Sequence, residues 1–219
     1  MSGLIGDGSR PRRSKRLITI VLGIVCLLIY IILAQKLLSK DLIAFDQLIT
    51  AHILAFSSPT ATKIMIFITY WGNTWVAFLV ALIGIFIIIK TKRGRWSAKI
   101  LLMAVTGASI AVTPLKNIFH RSRPLERLLY FTGYSFPSGH AMISSALYGM
   151  IAYLLWINLR SSFSRYIAVF ALVLLILLIG FSRIYLGAHY PSDVLAGYAA
   201  GGLWLIICIY VLDAISTRT

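Results

Sequence analysis

The sequence predicts an all-α integral membrane protein: a six-transmembrane-helix bundle with a short amphipathic helix at its outer interface and both termini in the cytoplasm (N-in/C-in). Three observations lead to this fold class. Of the 219 residues, 59% are hydrophobic and only 12% are charged, whereas about a quarter of an average soluble domain is charged. The apolar residues form six long runs without charges, and Lys and Arg concentrate in alternate loops. A soluble enzyme is therefore nearly excluded.

The six runs are close to the length that a membrane-spanning helix needs, which is roughly 20 apolar residues. They cover 17–35, 64–89, 100–115, 141–159, 166–182 and 194–212. Basic residues precede the first run, but it exceeds the usual signal-peptide length of about 7–15 apolar residues, so we expect a membrane helix. The second run is long enough to kink near Gly72 and Asn73, and we expect Asn73 to have a structural role there.

The distribution of basic residues predicts the orientation, because basic loops are retained on the cytoplasmic side. With the N-terminus inside, 13 Lys and Arg lie in the cytoplasm and 8 outside. We therefore attribute the net charge of +15 to basic residues that orient the protein in the membrane, and we expect no nucleic-acid partner. The expected organisation is a basic cytoplasmic tail at 1–16, a six-helix membrane domain at 17–213 and a short cytoplasmic tail at 214–219.

Two further patterns refine the bundle. Between the first two runs, apolar residues recur at helical spacing while Asp46 and His52 interrupt them, which predicts an amphipathic helix at the outer interface. The apolar positions are 42, 45, 49, 53 and 56. In the last run, Gly197 and Gly201 lie four residues apart. Such pairs let helix backbones approach closely, which favours a compact bundle.

Half of the outward basic residues lie in one segment, from Lys116 to Arg127. A positive-inside bias does not place them there, so we expect them to bind an anion. The alternative is a solvated loop that only stops transfer across the membrane. His120 and Arg121 in the same segment are assigned no role.

The segment Pro137-Ser138-Gly139-His140 directly precedes the fourth run. Ser138 is a good N-cap, and Gly139 has no side chain to obstruct a ligand. The first N–H groups of a helix have no partners within it and bind phosphate readily. The alternative is an ordinary cap with His140 as an interfacial histidine.

A second set of polar residues lies between the last two runs. Arg183 is at the end of the fifth run, and His189 and Asp193 are at the start of the sixth. If the helix extends back to His189, the two side chains share a face; otherwise the turn at Pro191 can bring them together. A carboxylate there would accept the imidazole N–H and fix its tautomer. Asp193 as a simple helix cap is the alternative, and both roles can coexist.

The number of residues between these segments predicts that they lie at the same membrane face. The 41 residues between His140 and Ser182 suffice for a helix down, a turn and a helix back. Both histidines then meet Lys116, and the residue types fit phosphoryl transfer, which depends on positioning and charge stabilisation. One histidine can attack phosphorus, and the other can protonate the leaving oxygen.

Metal catalysis is disfavoured by the scarcity of outward carboxylates. A two-metal phosphatase needs several carboxylates or histidines around its ions. Besides Asp193, the outer face has only Asp41, Asp46 and Glu126. We therefore expect neither a metal nor another cofactor.

The combined motifs resemble the signature of the type 2 phosphatidic acid phosphatase superfamily. Its three parts match Lys116 with Arg123-Pro124, then Pro137 to His140, then Ser182-Arg183 with His189 and Asp193. The resemblance implies that His189 is the nucleophile, Asp193 orients it and His140 is the general acid. It further implies that the phosphate is held by five residues: Lys116, Arg123, Ser138, Gly139 and Arg183.

The six-run plan resembles the bacterial phosphatidylglycerophosphate phosphatases of that superfamily. This implies a phosphorylated membrane lipid as substrate, in the cytoplasmic membrane of a bacterium, with the site facing the extracytoplasmic side. Phosphatidylglycerophosphate is the expected substrate, and undecaprenyl pyrophosphate and phosphatidic acid are the alternatives. An anion or lipid transporter is the non-enzymatic alternative, although transporters usually place their site near the midplane.

Overall fold

The computed structural model describes residues 10–90, 94–125, 128–129 and 131–216, and the part of the chain that it describes is helical with no strand. The helices are α1 (Arg10–Leu38), α2 (Ile43–Ala55), α3 (Pro59–Tyr70), α4 (Thr74–Ile88), α5 (Gly94–Phe119), α6 (Gly139–Asn158), α7 (Ser162–Tyr185) and α8 (Pro191–Ser216). Residues 10–16, predicted as tail, continue α1. The other predicted tail residues, 1–9 and 217–219, lie outside the described residues.

Five helices are long and apolar enough to cross a membrane: α1, α5, α6, α7 and α8. The pair α3 and α4 would make a sixth span, bent by 54°. The prediction of an all-helical membrane protein is confirmed, with five or six candidate spans according to how this pair is counted.

The bend falls where the sequence predicted a kink. Asn73 is the N-cap of α4, and its Oδ1 accepts a hydrogen bond from the backbone N–H of Trp75 at 3.0 Å. The Trp71 carbonyl accepts from the Tyr148 hydroxyl at 2.7 Å. A Cβ at Gly72 would lie 2.5 Å from Ile179 Cγ2 and 3.0 Å from His140 Cδ2. The helix that starts at the bend is therefore capped, the Trp71 carbonyl has a hydrogen-bond partner, and Gly72 packs against the ring of His140.

Helix α6 lies at the centre of the bundle and packs on α4, α5, α7 and α8. In its most apolar window, 61% of the residues are buried, against 6% for α1. Gly197 and Gly201 on α8 allow the close approach to α6 that their spacing predicted. A Cβ at Gly197 would lie 2.5 Å from the Ser138 carbonyl oxygen, and one at Gly201 would lie 2.3 Å from that of Met142.

Helix α2 is present where the sequence predicted an amphipathic helix, and the side that faces the protein carries polar residues beside the apolar Ile53. Asp46 and Thr50 are buried, while Phe45 and Phe56 are 42% and 81% exposed. Asp46, which interrupts the apolar pattern in the sequence, is thus one of the buried residues. Its carboxylate finds charged and hydrogen-bonding partners inside the protein, which offsets the loss of water around a buried charge.

Candidate active site

The C-terminal end of α5 and the loop after it supply two of the predicted cations. The ammonium of Lys116 donates to the Tyr134 carbonyl at 2.7 Å. The guanidinium of Arg123 donates from Nη1 to the Ala188 carbonyl at 2.6 Å and from Nε to the Gly133 carbonyl at 2.9 Å. These bonds hold both cations at the same end of the bundle as the start of α6.

Ser138 occupies the N-cap position of α6, as predicted, but its hydroxyl caps nothing. The backbone there is extended, and no side-chain capping bond forms. The Oγ atom is buried and has no hydrogen-bond partner. A buried hydroxyl without a partner is unfavourable, so this atom is available to a ligand.

Gly139 lines the site and also fits tightly against α5. A Cβ there would lie 3.0 Å from Val112 Cγ1. The glycine therefore allows the first turn of α6 to pack on α5, a role that the sequence did not reveal.

Arg183, near the end of α7, is 5% exposed. Its Nη1 donates to the Thr69 hydroxyl at 2.8 Å, and its Cζ lies 4.6 Å from the centre of the Phe131 ring. Its Nε is buried without a partner. A buried guanidinium with an unused donor is poised for an anion.

His189 lies in the turn before α8, because that helix begins at Pro191. The turn, and not an extended helix, brings it to Asp193, with Nδ1 and Oδ2 3.6 Å apart. Oδ2 also accepts from the backbone N–H of Tyr190 at 2.9 Å. Asp193 therefore faces the histidine and caps the helix start at once.

The contacts of His189 define its tautomer. Nε2 lies 3.4 Å from Arg123 Nη1, and arginine only donates, so Nε2 accepts. The ring proton is then on Nδ1, which faces Asp193 Oδ2 across 3.6 Å, beyond hydrogen-bond distance, and has no hydrogen-bond partner. Burial, followed by the positive charges of Arg183, Lys116 and Arg123, holds the pKa of the imidazole well below its ordinary value. His189 is therefore neutral at pH 7, with its lone pair on Nε2.

The structure brings six of the eight predicted residues to one cavity of about 340 Å³. They are Lys116, Arg123, Gly139, His140, Arg183 and His189. Ser138 and Asp193 lie next to this cavity and are joined to each other, since the Ser138 N–H donates to the Asp193 carbonyl at 2.9 Å. Two histidines and three cations thus surround a space large enough for a phosphate and part of its substituent.

Sequence reasoning missed four residues of the site. Thr69 binds Arg183, and the Phe131 ring lies 4.6 Å and 5.7 Å from the Cζ atoms of Arg183 and Arg123. Arg121 was assigned no role but binds Asp193 directly, together with Asp46 of α2. The position of Arg121 inside the cationic loop was the only available signal, and nothing in the sequence paired it with Asp46.

Among the described residues, no three His, Cys, Asp or Glu side chains come together in a way that would hold a metal ion. The cavity is instead lined by cations and imidazoles. Its chemistry suits an anion that accepts several hydrogen bonds, and two of its neighbouring donors, on Ser138 and Arg183, are unused.

A helical membrane bundle with this anion site at the ends of four helices defines a class of protein, and the chain belongs to the PAP2 superfamily, whose family model matches residues 97–216. It is similar to Phosphatidylglycerophosphatase B of Bacillus subtilis (strain 168), with 31% identity over 182 residues, 80% of this chain and 86% of that protein.

The chain is also similar to two further proteins. The crystal structure of a transmembrane PAP2 type phosphatidylglycerolphosphate phosphatase from Bacillus subtilis superposes with a TM-score of 0.78 at 26% identity, covering 90% of this chain and 96% of that one. An Undecaprenyl-diphosphatase of Sulfolobus acidocaldarius is 29% identical over 67% of this chain and 68% of that protein.

Proposed function

We propose that this protein is a membrane lipid phosphatase that hydrolyses the terminal phosphate of phosphatidylglycerophosphate to phosphatidylglycerol through a phosphohistidine. The observation that carries the proposal is the 340 Å³ cavity, where two histidines face three cations. The unused donors of Ser138 and Arg183 add to it, because buried donors of this kind require an acceptor such as phosphate.

In the first step, Lys116, Arg123 and Arg183 bind the phosphate oxygens, and Ser138 Oγ and the N–H of Gly139 complete the set. His189 Nε2 attacks phosphorus while its Nδ1 proton faces Asp193, whose charge stabilises the developing imidazolium. The P–O bond to the glycerol breaks, and His140, which enters this step as an imidazolium when the phosphate anion is bound, donates a proton to the leaving oxygen and becomes neutral. Phosphatidylglycerol leaves and the phosphoryl group stays on Nε2.

In the second step, His140 takes a proton from a water molecule, and the resulting hydroxide attacks phosphorus. The P–N bond breaks, inorganic phosphate leaves, and His189 returns to its neutral form. The three cations stabilise the charge on the equatorial oxygens in both steps, which is the main source of catalysis in phosphoryl transfer. No metal takes part.

The lipid is proposed from the relatives. Phosphatidylglycerophosphatase B shares 31% identity over most of both chains, which favours phosphatidylglycerophosphate. The similarity to an Undecaprenyl-diphosphatase makes undecaprenyl pyrophosphate the second candidate. Both present a terminal phosphate to the same cations, so the two lipids must be compared directly.

The decisive experiment measures phosphate release by purified protein in detergent, with the two lipids offered side by side and EDTA present. We expect wild-type protein and a His52→Ala control to release phosphate, since His52 is exposed and bonds only to its own helix. His189→Ala should release none. Loss of activity in EDTA that Mg²⁺ restores would contradict the metal-free mechanism, and release by His189→Ala would contradict the nucleophile.

We further propose the orientation and the domain limits. The site lies at the C-terminal ends of α5 and α7 and the N-terminal ends of α6 and α8, which share one end of the bundle. The positive-inside bias supports an orientation with that end on the outer side of the cytoplasmic membrane of a bacterium. Residues 1–16 and 214–219 are then cytoplasmic, and residues 17–213 form the membrane domain.

A further inference from the structure

Arg121 joins two buried carboxylates from distant parts of the chain. Its Nη2 donates to Asp46 Oδ2 on α2 and its Nη1 to Asp193 Oδ1 on α8, both at 2.6 Å. The side chains of Asp46, Arg121 and Asp193 are 1%, 11% and 0% exposed. We call this arrangement the Asp46–Arg121–Asp193 bridge.

The bridge also fixes the backbone at the start of α8. Asp46 Oδ1 accepts from the Ser192 N–H at 2.9 Å, and Oδ2 accepts from the Ser192 hydroxyl at 2.6 Å. Arg121 Nη1 donates to that same hydroxyl at 2.8 Å. Because Ser192 directly precedes Asp193, α2 holds the first turn of α8, which presents Asp193 to His189.

Each of the three residues is needed to give the bridge its net negative charge next to His189. A carboxylate buried alone takes up a proton, and a protonated Asp193 would donate to His189 Nδ1 and force the ring proton onto Nε2. Arg121 opposes that protonation by placing a positive charge against Asp193, with Nη1 2.6 Å from Oδ1. Since one guanidinium and one carboxylate cancel, Asp46 restores a net charge of about −1 to the group beside His189.

Arg121 remains charged in this setting. Burial alone would lower the pKa of its guanidinium, but Asp193 and Asp46 outweigh this and raise the pKa above its ordinary value. The Tyr190 ring covers the guanidinium, with Cζ 4.3 Å from the ring centre. The cation is thus enclosed by two carboxylates and one aromatic face.

We propose that Arg121 and Asp46 are positioning residues of the phosphatase reaction, acting through Asp193 to keep the lone pair of His189 on Nε2 and to stabilise the imidazolium formed as it attacks. This inference rests on the proposed function. It assigns α2 an indirect part in the chemistry, because α2 acts through Asp193 and contributes no residue to the 340 Å³ cavity.

Kinetics of Arg121→Gln, Arg121→Lys and Asp46→Asn test the proposal, with Asp41→Asn as the matched control because Asp41 is exposed on the same segment. We expect kcat of Arg121→Gln to fall about 100-fold with KM changed little, less than the ~10⁴-fold loss when the orienting carboxylate of a triad is replaced. Arg121→Lys should recover part of the loss, and Asp46→Asn should lose about tenfold.

A double-variant cycle separates positioning from a structural role. If Arg121 acts through Asp193, adding Arg121→Gln to Asp193→Asn should lower kcat no further, whereas independent effects would multiply. Multiplicative losses, or unchanged kcat in both Arg121→Gln and Asp46→Asn, would overturn the proposal. Thermal unfolding in detergent identifies any variant that fails to fold, and Asp46→Asn then carries the test because Asn can still accept from Ser192.

A spectroscopic measurement tests the bridge without turnover. The ¹⁵N signals of histidine-labelled protein, with His189 assigned by their loss in His189→Ala, should show a protonated Nδ1 in wild type and a protonated Nε2 in Arg121→Gln. An unchanged tautomer in Arg121→Gln would contradict the inference. Absence of phosphate release from every lipid by wild-type protein would instead contradict the proposed function, so the two failures are distinguishable.

Discussion

The neighbours of His189 determine the protonation state of its ring. Arg123 donates to Nε2, Asp193 faces Nδ1, and burial with the nearby positive charges lowers the pKa of the ring. An ordinary histidine is half protonated near pH 6.5. In a mildly acidic medium, only a small fraction of it would keep the free lone pair that can attack phosphorus. At this position the neutral, nucleophilic form persists to lower pH.

The pH profile of kcat/KM should reflect this shift. Because protonation removes the attacking lone pair, activity is present above the pKa of His189 and lost as the pH falls through it, so we expect the acid limb below pH 6.5. Arg123→Gln removes a positive charge and should move that limb to higher pH by about one unit. Since the substrate's own ionisation is common to both proteins, identical limbs would contradict the electrostatic origin.

Ser138→Ala tests the hydroxyl without a partner. Because Oγ makes no hydrogen bond in the protein, its removal should leave the melting temperature unchanged. If it binds phosphate, kcat/KM should fall by about ten- to a hundredfold, the effect of one hydrogen bond to a charged group. Ser144→Ala is the control on the same helix, since its hydroxyl bonds to the Ala141 carbonyl; an equal loss there would refute the assignment.

Close packing of two helices sets the geometry of the site at the scale of elements. The first turns of α6 and α8 carry His140 and Asp193, and the Ser138 N–H bonds to the Asp193 carbonyl. Glycines on α8 make this approach possible. The distance between the two helices therefore fixes the distance between His140, the proposed general acid, and Asp193, the residue proposed to orient His189.

Gly201→Ala should separate α6 from α8. Its Cβ would lie 2.3 Å from the Met142 carbonyl oxygen, a backbone atom that cannot yield cheaply. We expect a loss of about 1–3 kcal/mol in stability, seen as a lower melting temperature in detergent, together with lower activity. Gly202→Ala, whose Cβ would meet only Cys26 Sγ at 3.2 Å, should have a smaller effect; equal effects would contradict the role of the close approach.

Particular elements show what the sequence could and could not predict. The long apolar runs predicted the spans because a bilayer requires them, and the bend at Asn73 followed from a polar cap inside an apolar run. The buried polar side of α2 was not predicted, because a periodic apolar pattern says which side is apolar and not what the opposite side meets. Asp46 and Arg121 lie 75 residues apart, and only the packing of α2 against the site pairs them.

Cysteine labelling can test the proposed orientation of the molecule in the membrane. If the N-terminus is cytoplasmic, Lys63→Cys in the first half of α3 should react with a membrane-impermeant maleimide in intact cells. Arg160→Cys between α6 and α7 should react only after lysis. The wild-type protein, with Cys26 and Cys208, gives the background. The reverse pattern would place the active site in the cytoplasm and contradict the proposed orientation.

The location of the cavity at one end of the bundle governs how the protein meets its substrate. A lipid whose chains stay in one leaflet presents its phosphate at the depth of these helix ends, so the reaction is a two-dimensional encounter in the plane of the membrane. The quantity that sets the rate is then the mole fraction of substrate among the surrounding lipids. In mixed micelles, we expect dilution with detergent at constant bulk substrate concentration to slow the enzyme, and dilution with buffer to leave turnover per molecule unchanged.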